Sequence, residues 1–336
     1  MRRPILPLLL VVGILLVRAA ASSPPVSGQG RPGAVPPVPV PADNPQTEAK
    51  VKLGAQLFFE PRLSADHKLS CATCHHPDMA WANHDPTDTG FMDRKGTRNS
   101  GTVLDSAYMK FQFWDGRAES LEEQALGPIH NPVEMGETIE NVVRKLNAIE
   151  EYRSQFRAVF GTDVTPEGIA KAIAAFERTV VSGPSPYDRF LAGEKSALSA
   201  SAKRGLEVFR GKGHCTFCHI GYTLSDQSFH NIGVGMDQPN PDLGREEVTH
   251  DPADRGKFKT PMLRNVALTH PFLHDGSAKT LADVVALYDR GGVPNPNLDD
   301  DVKPLKLTDR DKADLVTFLE ALTGPLPNIA PPTLPR

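Results

Sequence analysis

Two runs of the form Cys-x-x-Cys-His, Cys71-Ala72-Thr73-Cys74-His75 and Cys215-Thr216-Phe217-Cys218-His219, use all four cysteines of the 336-residue chain. Two thiols at this spacing can add to the two vinyl groups of a porphyrin, and the imidazole that follows reaches the iron from the same side. Each run therefore has the chemistry to fix one haem, with His75 and His219 as proximal ligands. Paired Cys-x-x-Cys runs can also build a zinc site or two vicinal disulfides. Neither demands a His after the second Cys. Zinc knuckles would have to meet across the long stretch between Cys74 and Cys215, and no βαβ pattern surrounds either run.

The elements that must hold these groups read as helices punctuated by Pro and Gly. Ile139, Val142, Val143, Leu146, Ile149, Tyr152 and Phe156 form one helical stripe over Thr138 to Phe160. Thr165-Pro166 opens a second helix with a capping residue and a proline in its first turn, and Ile169, Ile173, Phe176 and Val180 form its buried face. A third spans Asp309 to Leu322. Arg2 and Arg3 precede an apolar stretch, Ile5 to Val17, and then Ala19-Ala20-Ala21, the pattern of a secretory signal peptide over residues 1–21. The apolar run is shorter than the roughly 20 residues a membrane span needs. Signal cleavage removes three arginines and moves the formal charge from −4 to −7, which argues against a nucleic-acid partner. The expected location is the periplasm, with no membrane span after cleavage.

Residues 22–46 are rich in Pro, Gly and Ser and read as a tether. Beyond it the chain repeats itself. Lys52-x-Gly54-x-x-Leu57-Phe58 precedes the first haem run as Lys203-x-Gly205-x-x-Val208-Phe209 precedes the second, and Arg98-Asn99 pairs with Arg264-Asn265. Asp115-Gly116-Arg117-Ala118-Glu119-Ser120-Leu121 matches Asp275-Gly276-Ser277-Ala278-Lys279-Thr280-Leu281 at an offset of 160. The expected fold class is mainly α: two tandem cytochrome c-type domains, each enclosing one covalently bound haem. The N-terminal domain covers 47–196, the C-terminal domain 197–325, and a Pro-rich tail 326–336.

An electron-carrying haem usually has a second axial ligand, commonly Met or His. After Met262 the second half has no Met for this role, and the available donor is Tyr288. The offset of 160 places Pro128 at the equivalent point of the first half. Proline has no side-chain donor, so the first iron should be open to a small molecule. Glu134 follows Pro128 closely and Gln124 precedes it. A carboxylate beside an open iron can take a proton from one oxygen of hydrogen peroxide and return it to the other. Alone, Glu134 reads as a solvated loop acid.

With Phe113-Trp114-Asp115-Gly116-Arg117-Ala118, Gly127-Pro128, Asn131-Pro132-Val133-Glu134-Met135, Arg264-Asn265-Val266-Ala267-Leu268-Thr269 and His274-Asp275-Gly276, the chain resembles the bacterial dihaem cytochrome c peroxidase family from about Glu48 to Gly324. The resemblance implies a peroxide-reactive N-terminal haem, an electron-transferring C-terminal haem and Trp114 between them, although Trp114 also reads as an ordinary buried aromatic. It makes Glu134 the distal acid and base and Gln124 its pocket neighbour. It also makes Asn99, with backbone oxygens of Thr269 and Pro271, candidate ligands of a calcium ion.

Ordinary members carry Met where Tyr288 stands, whereas the MauG-like subgroup carries Tyr. That subgroup's surface Trp two residues before the second haem run is Gly213 here, so its exit route to a protein substrate is missing. The loop after the first haem run offers only His84 as an additional ligand of a resting iron. Three functions follow: peroxide-dependent oxidation of a protein partner or side chain; scavenging of hydrogen peroxide with electrons from a small periplasmic cytochrome or copper protein; or electron carriage without turnover. Pro128 and Glu134 argue against the carrier, and Tyr288 favours the first over the second. Members of the family often form homodimers.

Overall fold

The computed structural model describes residues 33–336, so the expected signal peptide and the start of the tether lie outside the described residues. It is mainly helical. The helices are α1 (Glu48–Phe58), α2 (Cys71–Cys74), α3 (Leu121–His130), α4 (Ile139–Asn147), α5 (Glu150–Phe160), α6 (Pro166–Glu177), α7 (Pro186–Leu191), α8 (Ala200–Arg210), α9 (Glu246–Thr249), α10 (Leu281–Asp289) and α11 (Asp309–Glu320). Strands β1 (Phe229–His230) and β2 (Phe258–Lys259) pair antiparallel. None of the described helices is long and apolar enough to cross a membrane.

Two hydrophobic clusters organise the chain. The first joins α1, α4, α5 and α6 around Phe58, Trp81 and Phe176; the second joins α8, α10 and α11 around Phe209 and Phe318. Their centres repeat. Phe58 and Phe176 meet at 5.2 Å between ring centroids, and Phe209 and Phe318 at 5.1 Å. In each, one helix crosses its partner over a glycine: a Cβ on Gly54 would lie 1.9 Å from Ala172 O, and one on Gly205 would lie 1.9 Å from Asp314 O. Only hydrogen fits at such a crossing.

The correspondence at offset 160 is geometric as well as sequential. Gln112 bridges Ala118 as Phe272 bridges Ala278. Gly116 and Gly276 turn the chain with φ of 68° and 66°, a conformation that favours glycine. Ser120 then caps α3 through Glu123 N and Thr280 caps α10 through Asp283 N, each with a side-chain oxygen accepting from the helix's third residue. Helices starting at Leu121 and Leu281 thus run in register, which sets Pro128 against Tyr288.

One expected pairing is corrected. The residue that answers Asn265 is Asp105, not Asn99. Both stand in the left-handed region, with φ of 57° and 60°, before a short 3-10 turn. Asp105 N donates to Val180 O and its Oδ1 accepts from Ser182 N; Asn265 N donates to Leu322 O and its Oδ1 accepts from Gly324 N. Each side chain ties its loop to the chain leaving the last long helix of its half.

The stripe expected as one helix over 138–160 is two. Asn147 bonds both backbone groups of Val164, and the chain turns through Ala148 before Ile149 caps α5. Basic Arg144 and Lys145 close α4 and acidic Glu150 and Glu151 open α5, which suits both helix dipoles. Helix α7, absent from the sequence reading, packs Tyr187 and Phe190 on the second cluster although it precedes residue 197. Its Asp188 makes a buried two-point ion pair with Arg264, at 2.6 and 2.9 Å. The segment read as tether does not hang free at its end: Asn44 is fully buried and donates to Glu122. In the tail, Leu326 and Ile329 pack on the first cluster.

Candidate functional site

Between the clusters lies one continuous cavity of about 1020 Å³. Cys71, Cys74, His75, Trp114, Gln124, Pro128 and Glu134 of the N-terminal half line it, together with Cys215, Cys218, His219 and Tyr288 of the C-terminal half. Asn99, Thr269 and Pro271 also line it. These residues of both halves therefore face one space, and of the candidates read from the sequence only His84 lies outside it. Its volume is at the top of the range for single-ligand pockets, about 300–1,000 Å³.

The cysteines form no disulfide. Burial pushes the Cys71 and Cys215 thiols up to about 12, so neither is a ready thiolate. Among the described residues the only metal-ligating cluster of three or more is Cys218 with Asp226 and His230, and none draws on both cysteine pairs. The two cysteine pairs thus do not converge on one metal-sized site among these residues. His230 is instead clamped between Asp226, at 2.9 Å, and Asp299, and these acids with Cys218 raise its pKa to about 11.

The histidines after each cysteine pair suit an iron. His219 Nδ1 lies 2.7 Å from Leu224 O, which assigns the proton to Nδ1 and leaves the Nε2 lone pair free. Burial lowers the pKa of both His219 and His75, favouring the neutral ligand form. His75 Nδ1 has no hydrogen-bond partner among the described residues. The donor sets at the two ends of the cavity fit two haems.

Glu134 is held by its own loop. Its Oε1 accepts from Asn131 Nδ2 at 2.7 Å, and Met135 N donates to Pro128 O at 3.1 Å, which docks the loop on α3. Burial raises the carboxyl above its ordinary pKa, against the Asn131 hydrogen bond and the nearby Arg117 charge. Gln124 and Pro128, four residues apart, share one face of α3. Tyr288 holds the matching place on α10, and burial raises its phenol above the ordinary range.

Trp114 spans the two halves. Its indole N–H donates to Asn99 O at 2.8 Å, its carbonyl accepts from Lys259 N at 2.7 Å, and its ring lies 6.4 Å from that of His274. Behind it, Arg98 binds Asp115, Asp242 and Glu247. Asn99 donates through Nδ2 to Asp85 O and Pro86 O. His84 does not line the cavity. Its Nε2 meets Leu268 O at 3.1 Å and its ring lies 4.0 Å from that of His270.

Residues 48–196 match the di-haem cytochrome c peroxidase family. The methylamine utilization protein MauG of Methylorubrum extorquens is 41% identical over 302 residues, covering 89% of this chain and 85% of that protein. The chain belongs to the di-haem cytochrome c peroxidase family. Cytochrome c551 peroxidase of Nitrosomonas europaea is 39% identical, with 88% of this chain and 86% of that one covered. A crystal structure of a MauG-like protein associated with microbial copper homeostasis superposes with a TM-score of 0.77 at 34% identity, covering 86% of this chain and 93% of that one. The chain is thus a di-haem peroxidase, an oxidoreductase acting on peroxide.

Sequence reasoning missed two residues in this peroxidase cavity. Glu177 is 4% exposed, its Oε2 has no partner among the described residues, and burial raises its pKa to about 8. It continues the Ile169 and Ile173 stripe of α6, and an acid on an apolar stripe was a readable signal. The other is Lys259, which no periodicity marks.

If thioether bonds hold the haems, each Cys pair should hold its own. Cys71→Ala/Cys74→Ala and Cys215→Ala/Cys218→Ala should each reduce the covalent haem count from two to one by intact mass. Retention of both, or of zinc instead, would contradict attachment.

Proposed function

We propose that this chain is an exported, periplasmic, MauG-like peroxidase that uses hydrogen peroxide to oxidise a protein partner or side chain. What supports this most is the shared position of Pro128 and Tyr288 on two helices in register, both facing the cavity. Each half forms a cytochrome c-type domain with one haem, held by Cys71, Cys74 and His75 or by Cys215, Cys218 and His219. When bound, the haems supply iron that accepts oxidising equivalents from peroxide.

The polypeptide does the rest. Pro128 presents no donor and would leave the iron of the N-terminal haem open to peroxide. Glu134, oriented by Asn131, removes a proton from one peroxide oxygen and returns it to the leaving one. Gln124, one turn before Pro128, lends its amide to the same pocket. Tyr288 would hold the iron of the C-terminal haem through its phenol oxygen, and Trp114 lines the same cavity. The side-chain oxygen of Asn99 and the backbone oxygens of Thr269 and Pro271 accept no hydrogen bond among the described residues, which suits a hard cation such as calcium.

A second reading is scavenging of hydrogen peroxide with electrons from a small redox protein. The similar identity to a cytochrome c551 peroxidase favours it. Mixing fully oxidised protein with one equivalent of hydrogen peroxide separates the two. Prompt peroxide consumption without an electron donor is the expected result. A requirement for prior one-electron reduction would favour scavenging.

A further inference from the structure

Lys259 lines the haem cavity with no ion pair and no side-chain hydrogen bond among the described residues. The other half-buried cation nearby is answered: Arg98 binds three carboxylates. Burial alone lowers the Lys259 pKa to about 8, and no neighbouring acid opposes it. An ammonium kept in a cavity without an anion is strongly unfavourable, so such a group is normally paired.

The backbone fixes where it sits. Strand β2 places Phe258 against His274, with rings 3.7 Å apart and 13° from parallel. Side chains alternate along a strand, so Lys259 leaves the opposite face. Its own N–H is tied to Trp114 O at 2.7 Å. The chain then runs beside the loop that follows His219: Thr260 N donates to Ser228 O, Ser225 Oγ to Thr260 O, and Leu263 N to Thr223 O. Leu224, in that loop, holds His219 Nδ1. The ammonium therefore belongs to the C-terminal end of the cavity, on its Trp114 side.

A haem brings two carboxylates, the anions this cavity lacks at that point. We propose that Lys259 anchors a propionate carboxylate of the C-terminal haem and holds it on the Trp114 side of the cavity. This rests on the reading that a haem fills that end. A fixed positive charge beside the ring favours the reduced iron, so Lys259 holds the potential of that haem up. The primary ammonium also fixes which edge of the haem faces Trp114.

The test compares holoprotein carrying Lys259→Met with Lys259→Arg and wild type. Intact mass gives the haem count, spectroelectrochemical titration gives both potentials, and resonance Raman gives the propionate bending bands. The Met variant should keep two haems, show a lower potential at the C-terminal haem and shift that haem's propionate bands. The Arg variant should retain wild-type values. If the Met variant sheds the C-terminal haem, retention in the Arg variant supports the anchor, and loss in both overturns it. Unchanged potentials and bands in a two-haem Met variant overturn it, as does a shift confined to the N-terminal haem. Fewer than two haems in the wild type would instead sink the reading on which it rests.

Discussion

Glu134→Gln should slow the reaction with hydrogen peroxide by at least about tenfold, a floor below the 10²–10⁴ that positioned acid–base groups typically contribute. Gln keeps the size of the side chain and can still accept from Asn131 Nδ2 through its carbonyl, so the loop over α3 should hold. What it loses is the ability to take up and give back a proton. The pH dependence follows from the raised pKa of the carboxyl. A base must be deprotonated to act, and a raised pKa delays deprotonation to higher pH. The wild-type rate should therefore rise with pH through a midpoint above the ordinary carboxylate range, and the Gln variant should lack that rise. Stopped-flow mixing across pH measures both. An unchanged rate in the variant would assign the proton to another group, with Asp88, also lining the cavity and raised by burial, the next to replace.

Tyr288→Met should raise the potential of the C-terminal haem by about 100 mV or more, a fraction of the ~0.8 V over which axial ligands set haem potentials. A phenolate is hard and anionic and favours oxidised iron, whereas a thioether favours the reduced state. Met is also what the sequence resemblance implies for ordinary peroxidases at this place. The variant should accept electrons from a milder donor and should need prior reduction before it reacts with peroxide. A redox titration of wild type and variant decides it. A potential indifferent to the exchange would leave Tyr288 as a buried aromatic and remove the MauG-like assignment.

Much of the site was legible because its signals are local. The Cys-x-x-Cys-His runs, the Asp-Gly turns at Gly116 and Gly276 and the caps at Ser120 and Thr280 each depend on a few consecutive residues. Together they were enough to fix the register that sets Pro128 against Tyr288. What was misread depends on distant partners. Asn99 and Asn265 follow arginines in both places, but the shared geometry belongs to Asp105 and Asn265, whose side-chain oxygens accept from Ser182 and Gly324. The stripe over 138–160 is continuous in sequence, and Asn147 breaks it by bonding Val164. Helix α7 carries its packing residues next to a buried acid, Asp188, whose partner Arg264 lies far along the chain. Lys259 had no local signal because its meaning comes from what is missing around it.

The most direct measurement of the central claim is low-temperature electron paramagnetic resonance of the fully oxidised, two-haem protein. Pro128 over the N-terminal haem and Tyr288 on the C-terminal haem should give one high-spin ferric signal, from iron with His75 as its only protein ligand. They should also give one low-spin signal, from iron held by His219 and Tyr288. Two low-spin signals would mean that a side chain such as His84 reaches the first iron, and would contradict the account.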